Sequence, residues 1–505
     1  MHGFARKHGG GLCAVRAYRL TVIAGAARNF MTARFFVAVK SGIIEKVEKM
    51  NDKIHKFYSN GLYTLLDVNS GTIHIIDKLT YDILDIFTGE NDDAVVAALS
   101  HSYSEAELQE ALGELKQLVE QELLFAPELD VPLSFSEKPI VKSICLHVAH
   151  DCNLRCGYCF AGTGDFGHSR GLMTAEVAHQ AVDFIIEQSG VRRHCEIDFF
   201  GGEPLLNMDV VRSTVAYVRQ REKETGKVFK LTLTTNGVLL TDDNIQFLND
   251  NNISLVLSLD GRREVHDYMR PGVNGKGSYD KVFANIRKTV DSRNGQNYYL
   301  RGTFTAHNLD FCADVLSMAD AGFTLLSVEP VVGKDTDYEI KEQHLPALFA
   351  EYDKLAEEYL QRKLAGNGFE FFHFNMDIHK GPCVAKRLSG CGAGHEYLAV
   401  TPEGDLYPCH QFVGREDYLL GNVVEGVKST VLPRQFRQTH VLNKEECRSC
   451  WARFYCSGGC HANAQASHGR IDKPYEIGCE LQKKRLECAL MIQAKLALVK
   501  AGNEA

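Results

Sequence analysis

Between residues 54 and 77 apolar and polar positions alternate in three short runs, 54–58, 62–68 and 72–77, broken by Ser59-Asn60-Gly61 and Asn69-Ser70-Gly71. A period of two bounded by such turn signals predicts strands. The period then lengthens, and 78–87, 92–99 and 104–121 predict three helices, the last opened by Ser104 with Glu107 three residues on, a capping box. Residues 127–142 hold three Pro and predict a linker. Six apolar runs follow, near 143–149, 195–200, 228–235, 253–259, 298–305 and 324–332. Helical segments at 175–188, 208–225, 242–249, 279–291 and 312–321 separate them. Strand alternating with helix predicts parallel βα units, and six of them suggest a partial (β/α)6 barrel with its chemistry at the carboxyl ends of the strands. Residues 480–500 predict an amphipathic helix, with Leu481, Leu486, Leu490 and Leu496 on its apolar side, expected only to pack.

Composition narrows the class. The 505 residues are 45% apolar and 24% charged, ordinary for a globular protein with sizeable cores. A formal net charge of -9 counts against a general nucleic-acid binder. No apolar run is long enough to predict a membrane helix. Residues 1–44 contain basic residues and no acid. With later starts on offer at Met31 and Met50, residues 1–50 are expected to be disordered or a non-native extension. Sixteen Cys is many, and their patterned spacing at two places points to metal centres rather than a disulfide framework. Thiolate-held metal needs a reducing compartment, so a cytoplasmic location is expected.

The first constellation is Asp151-Cys152-Asn153-Leu154-Arg155-Cys156-Gly157-Tyr158-Cys159-Phe160. Three thiolates at this spacing can hold three irons of a [4Fe-4S] cubane and leave the fourth open to a substrate. The alternative, a zinc knuckle, would call for two Cys pairs or a Cys/His quartet. The triad follows the first barrel strand, and the other unusual residues also fall at strand ends. They are Gly201-Gly202-Glu203-Pro204, Thr235-Asn236-Gly237, Ser258-Leu259-Asp260-Gly261, Thr305-Ala306-His307-Asn308 and Glu329-Pro330. Six such coincidences disfavour zinc. The triad, with Tyr158 before its last Cys, resembles the radical SAM superfamily. That resemblance implies S-adenosylmethionine on the open iron, cleaved by one electron to a 5′-deoxyadenosyl radical. It further implies that Gly201, Gly202, Glu203 and Pro204 meet the methionine amino group, that Asn236, Ser258 and Asp260 add contacts, and that Arg270 pairs with the methionine carboxylate.

The second constellation comprises Cys391, Cys409, Cys447, Cys450, Cys456, Cys460 and Cys479. Its intervals resemble the SPASM extension of radical SAM enzymes, which holds auxiliary clusters. The resemblance implies Cys447, Cys450, Cys456 and Cys479 on a distal cluster and Cys391, Cys409 and Cys460 on a nearer one, with Cys383 or a substrate thiolate completing the latter. Three [4Fe-4S] clusters in all are implied. His410 occupies the position of a catalytic Asp in sulfatase-maturing members, and as a proton acceptor it is the candidate catalytic residue. Asp377 and His379 are weaker candidates. Cys13, Cys145, Cys195, Cys312 and Cys488 read as core or incidental.

The strand-and-helix unit at 51–126 resembles the winged-helix domain that captures leader peptides, by adding an extended peptide to a strand edge. A DNA-binding winged helix is disfavoured by the three Glu of 104–111. The implied organisation is this unit, a linker at 127–142, a radical SAM barrel at 143–370, a SPASM domain at 371–485 and a terminal helix and tail at 486–505. The runs Gly392-Ala393-Gly394-His395-Glu396-Tyr397-Leu398-Ala399-Val400-Thr401-Pro402 and Leu406-Tyr407-Pro408-Cys409-His410-Gln411-Phe412-Val413-Gly414 resemble the maturases of six-cysteines-in-forty-five (SCIFF) peptides. That implies thioether formation between a Cys sulfur and an acceptor α-carbon in a Cys-rich precursor peptide carrying a leader. An external one-electron reductant such as flavodoxin or ferredoxin is implied, and neither nucleic acid nor membrane. The alternatives are a related SPASM enzyme, forming formylglycine or a carbon–carbon link, and, remotely, a zinc-binding winged-helix regulator.

Overall fold

In the computed structural model, residues 21–22, 52–128, 140–167, 169–376 and 387–503 are described. Cys13, Cys383, Asp377, His379 and most of the expected linker lie outside them.

The first unit pairs β2 (Ile54–Ser59), β3 (Leu62–Asp67) and β4 (Ile73–Ile76) in antiparallel order, with β1 (Thr21–Val22) added parallel to β4. Helices α1 (Lys78–Ile83), α2 (Asp92–Leu99) and α3 (Glu105–Glu120) follow. The Ser104–Glu107 capping box opens α3 as expected. Helix α1 stops four residues short of the expected end, and the turn after it carries Leu84 and Phe87 into a core shared with Leu65, Val95, Leu108 and Leu115.

The central unit follows the predicted alternation. Parallel strands β5 (Ser143–His150), β7 (His194–Gly201), β8 (Val228–Thr235), β9 (Ser254–Ser258), β10 (Tyr298–Phe304) and β11 (Leu325–Pro330) lie side by side, with the two-residue β6 (Gly171–Leu172) on β5 and β12 (Glu370–Phe371) on β11. Between them run α4 (Ala175–Gln188), α5 (Met208–Thr225), α6 (Asp242–Asp250), α7 (Arg263–Met269), α8 (Tyr279–Ser292), α9 (Phe311–Asp320) and α10 (Leu345–Leu364). Strand residues such as Ile144, Leu146, Ile197, Phe199, Leu231 and Leu233 are fully buried in one core with Val182, Val215 and Ile286 of the covering helices. The result is an open, partial barrel.

The sheet does not end with the barrel. Strand β13 (Tyr397–Val400) adds parallel to the free edge of β5, pairing Ala399 with Cys145. Strands β14 (Asp405–Tyr407), β15 (Gly421–Asn422) and β16 (Gly426–Val427) then extend the sheet antiparallel. Helices α11 (Val431–Gln438), α12 (Glu445–Arg448), α13 (Arg453–Cys456), α14 (His461–His468) and α15 (Glu476–Asn503) complete the chain. The expected boundary at 485/486 falls inside α15, which runs unbroken. The helix packs, as expected, and its contacts reach other regions. It lies along α10, its Glu487 meets His55 of β2, and its Lys495 is hydrogen-bonded to the Asn60 carbonyl.

Two local devices hold the strand-end loops. Gly201, at φ 134°, and Gly202 lie against the chain that leads into the Cys triad. The Gly202 N–H donates to Ala149 O and the Glu203 N–H to Asp151 O, each at 2.8 Å. A Cβ on Gly201 would stand 2.2 Å from Ala149 O, and one on Gly202 2.1 Å from Asp151 O. Glycine is therefore a steric requirement at both. Below the β9 loop, His266 accepts the Asp260 N–H at Nδ1 (3.4 Å) and bonds the Ser278 hydroxyl through Nε2 (3.0 Å), while Ser278 donates to Arg270 O (2.7 Å). This chain of bonds needs a neutral imidazole, and burial lowers its pKa to about 4.

Gly202→Ala is expected to cost about 3 kcal/mol by overpacking, seen as a lower Tm and a displaced triad with reduced iron content. The His266 imidazole, neutral when folded, contributes stability that is complete above pH 6.5 and lost as pH falls toward 4. Chemical denaturation should show a loss of about 2 kcal/mol from this group between pH 7 and pH 5, and His266→Gln should remove that part of the slope.

Candidate active site

Strand β5 delivers Cys152, Cys156 and Cys159 on a loop that is pinned along its length. Arg155 N–H binds Pro271 O and Gly157 N–H binds Met269 O, each at 2.8 Å. The Arg155 guanidinium donates back to Cys152 O at 2.6 Å and Leu154 O at 2.7 Å. Burial raises all three thiols, Cys152 and Cys156 to about 11, so only a bound cation would draw them into thiolates at neutral pH. The Leu154 N–H and Asn236 Nδ2 both point at Cys152 Sγ, at 3.5 and 3.6 Å, and Asn236 also donates to Asn153 Oδ1 at 2.7 Å. Such donors orient a metal-bound sulfur and moderate its charge.

The next loops are knitted together by two carboxylates. Glu203 is fully buried and spends both oxygens on the protein: Oε1 accepts Leu205 N–H (3.1 Å) and the Thr235 hydroxyl (2.7 Å), Oε2 accepts Asn236 N–H (2.8 Å). It ties the β7 loop to the β8 loop, and burial raises its pKa to about 7. Pro204 opens the short 3-10 turn Pro204–Asn207 that follows. Asp260, also fully buried, takes Thr303 N–H on Oδ1 (3.0 Å) and both the Tyr158 hydroxyl (2.5 Å) and Arg270 Nε (2.9 Å) on Oδ2. Tyr158 thus joins the triad loop to the β9 loop. Arg270 gives Asp260 its Nε, so its Nη fork is the part that can meet a second carboxylate. Ser258 is buried at the end of β9.

The SPASM-like cysteines lie in two neighbourhoods. Cys409 is electrostatically coupled to Cys391 and Cys460, and Cys479 to Cys456, Cys447 and Cys450. Burial raises Cys447 to about 11 and Cys479 to about 12. Backbone N–H groups are aimed at the sulfurs: Gln411 and Phe412 at Cys409, Gly458 and Gly459 at Cys456, Ala462 and Asn463 at Cys460. Ser457, Gly458 and Gly459 have φ of 62°, 84° and 72°, a left-handed run that curls the chain between Cys456 and Cys460. Among the described residues no three His, Cys, Asp or Glu converge on one point as ligands to a single ion would. A cubane instead takes each thiolate at a separate corner, with amides directed at its sulfurs, and these donor sets suit it.

Residues on the concave side of the sheet join the two constellations. His410 lies with its ring 5.4 Å from that of Phe160, the residue after Cys159, and 5.0 Å from that of Phe200, the residue before Gly201. Its Nδ1 is 3.0 Å from the Tyr397 hydroxyl, and burial, with Arg301 nearby, lowers its pKa to about 4. Cys145, assigned to the core from sequence, is fully buried and is hydrogen-bonded with Tyr397. Asp198, Arg301, His373 and Arg485 escaped sequence reasoning, whereas Glu329 was singled out by it. Arg485 of α15 and His373 both meet Glu329, at 3.1 and 3.4 Å. Burial opposes ionisation of Glu329, yet His373, Arg485 and Arg301 hold its pKa down to about 2. Asp198 accepts the Thr232 hydroxyl at 2.7 Å, and His147 Nδ1 lies 3.1 Å from His150 Nε2. The legible signal was a charged or polar residue at alternate positions of an otherwise apolar strand, as at Asp198, Arg301 and Glu329.

Comparison with known proteins agrees with this geometry. A model of the Radical SAM superfamily matches residues 146–304, and one of the SPASM iron-sulfur cluster-binding domain matches residues 391–451. The cysteine-type anaerobic sulfatase-maturating enzyme of Clostridium novyi (strain NT) is 25% identical over 363 residues, 67% of this chain and 92% of its own. The radical SAM cyclopropyl synthase TigE of Paramaledivibacter caminithermalis is 23% identical over 364 residues, 68% of this chain and 72% of its own. The solved structure of native anSMEcpe with bound AdoMet has the same fold, with a TM-score of 0.59 at 21% identity over 70% of this chain and 99% of that one. S-adenosylmethionine and [4Fe-4S] clusters, auxiliary ones included, are the cofactors. The chain joins a radical SAM domain to a C-terminal SPASM domain and is homologous to the anaerobic sulfatase-maturating enzymes and other peptide-modifying radical SAM enzymes.

Proposed function

We propose that this enzyme installs thioether cross-links, from Cys sulfur to acceptor α-carbon, in a ribosomally made, Cys-rich precursor peptide. The observation that carries the reading is the position of His410. It follows the auxiliary ligand Cys409 directly and packs on Phe160 and Phe200, beside the triad loop. A substrate thiol held near the auxiliary site would then share a chamber with the carbon to be activated. A peptide partner is further supported by native anSMEcpe, which has been solved with bound AdoMet and the Cp18Cys peptide.

When bound, S-adenosylmethionine and the clusters would supply the two oxidising equivalents the carbon–sulfur bond needs, one as the hydrogen atom taken from the acceptor α-carbon and one as the electron an auxiliary cluster accepts when the bond forms. The protein's part is binding, orientation and proton movement. The Nη fork of Arg270 is assigned to the methionine carboxylate. Gly201 and Gly202 keep the backbone close on the amino-group side, and Glu203 holds that loop in place from beneath. His410, kept neutral by burial, accepts the proton of the substrate thiol at its Nε2, with Tyr397 on Nδ1 fixing the ring. Cys447, Cys450, Cys456 and Cys479 are assigned to the distal auxiliary cluster, and Cys391, Cys409 and Cys460, with Cys383 or a substrate thiolate, to the nearer one. An external one-electron reductant, flavodoxin or ferredoxin in type, would feed the triad cluster. The unit at 51–126 holds the leader, which raises the local concentration of the core peptide.

A second reading, conversion of a Cys to formylglycine, is favoured by the similarity to a cysteine-type sulfatase-maturating enzyme. Anaerobic incubation with S-adenosylmethionine, reductant and a Cys-rich precursor peptide separates the two by mass: each thioether removes two hydrogens, whereas formylglycine replaces a thiol by an aldehyde. Cys156→Ala should abolish both 5′-deoxyadenosine and product. Cys447→Ala should still form 5′-deoxyadenosine while cross-linked peptide disappears. His410→Ala should slow cross-linking by about a hundredfold while 5′-deoxyadenosine formation continues, as resolved by chromatography of single-turnover mixtures.

A further inference from the structure

Lys444 has no role in the foregoing, and its surroundings are unusual. It precedes α12 and is only 2% exposed. A buried ammonium is costly unless an anion compensates it. Among the described residues no carboxylate stands within ion-pair distance of it. Asp472, whose carboxylate lies within reach of the Lys444 charge, is committed to Arg470, whose Nε is 2.6 Å away. The hydrogen bond that Nζ does make goes to Gly458 O, at 2.7 Å. Gly458 belongs to the left-handed run between Cys456 of the distal set and Cys460 of the nearer set. Burial works against the Lys444 ammonium, and the groups near enough to favour it, once ionised, are four thiols drawn from both sets, Cys447, Cys456, Cys460 and Cys479. The imidazole of His461 also faces it, and burial keeps that ring neutral, with a pKa of about 4.

We propose that Lys444 is the shared counter-charge of the two auxiliary cluster sites. Its ammonium sits where the two ligand sets meet, and it positions the loop that joins them. Each cluster carries net negative charge through its thiolates, and two such groups at close quarters repel. One cation between them offsets that repulsion and raises the potential at which each accepts an electron, because a reduced cluster is the more negative form. Lys444 acts through the clusters and touches no substrate, so it is a positioning residue. The inference rests on both thiol sets holding clusters and does not depend on which bond the enzyme forms.

The test uses the full chain, purified and reconstituted anaerobically, with the triad Cys replaced by Ala so that only auxiliary clusters give a signal. Lys444→Met, Lys444→Gln and Lys444→Arg are compared for iron and acid-labile sulfide and for midpoint potential by an EPR-monitored redox titration. The expected result is a lower midpoint for at least one auxiliary cluster in the Met and Gln variants, with the Arg variant close to the parent. Loss of iron in Met and Gln but not in Arg would equally support a charge role. Midpoints unchanged in all three at full iron content would overturn the proposal, as would loss of iron in all three, which would make shape rather than charge the requirement. Absence of sulfide from the parent protein would overturn the cluster assignment together with it.

Discussion

Everything in the site depends on how closely two backbones approach each other at the carboxyl edge of the sheet. Gly201 and Gly202 lie so near Ala149 and Asp151 that a single methylene carbon would collide with a carbonyl oxygen. The contact fixes where β5 ends and hence where Cys152 begins its loop. From there the loop is fastened outward, through Arg155 and Gly157 to the segment after α7, and through Tyr158 to Asp260. A cofactor bound there would meet a surface made rigid by main-chain hydrogen bonds, which cost no side-chain entropy to order.

A second constraint is the placing of charge in a poorly solvated interior. Burial pushes the triad thiols and those of Cys409, Cys447, Cys456, Cys460 and Cys479 toward the protonated form, and Glu203 and Asp260 would be expensive without donors. The structure answers with donors. Glu203 has three protein donors, Asp260 has three, and the sulfurs of Cys409, Cys456 and Cys460 have paired amides. Where amides do not suffice, a cation stands in: Arg270 beside Asp260, Arg485 beside Glu329, Lys444 between the auxiliary sets. Such compensation makes the site specific for its charged occupants, since removal of either partner leaves the other stranded.

Continuity between regions is structural as well as electrostatic. Strand β13 prolongs the barrel sheet, so Cys409 and His410 are carried to the concave face by the same hydrogen-bonded lattice that carries the triad. Helix α15 then reaches back to β2 and to α10, and Trp451, beside Cys450, stacks on His55 with ring centroids 3.8 Å apart. The first unit is thereby seated against the Cys-rich region.

What the chain order alone determined is considerable. The six parallel strands and most of their helices follow from apolar periodicity, to within a residue or two, because each strand buries at least its alternate side chains and β5 buries all of them. Both cysteine constellations were legible as well, since cluster ligands on one loop need close spacing in sequence. Tertiary structure decided what lies far apart along the chain. That Glu203 spends its oxygens on Thr235 and Asn236, that Arg270 pairs with Asp260, and that His410 rests on Phe160 depend on which strands become neighbours. The addition of β13 to β5 and the burial of Lys444 between two ligand sets are of the same kind. Periodicity reports which face of an element is buried, and it is silent on what that face meets.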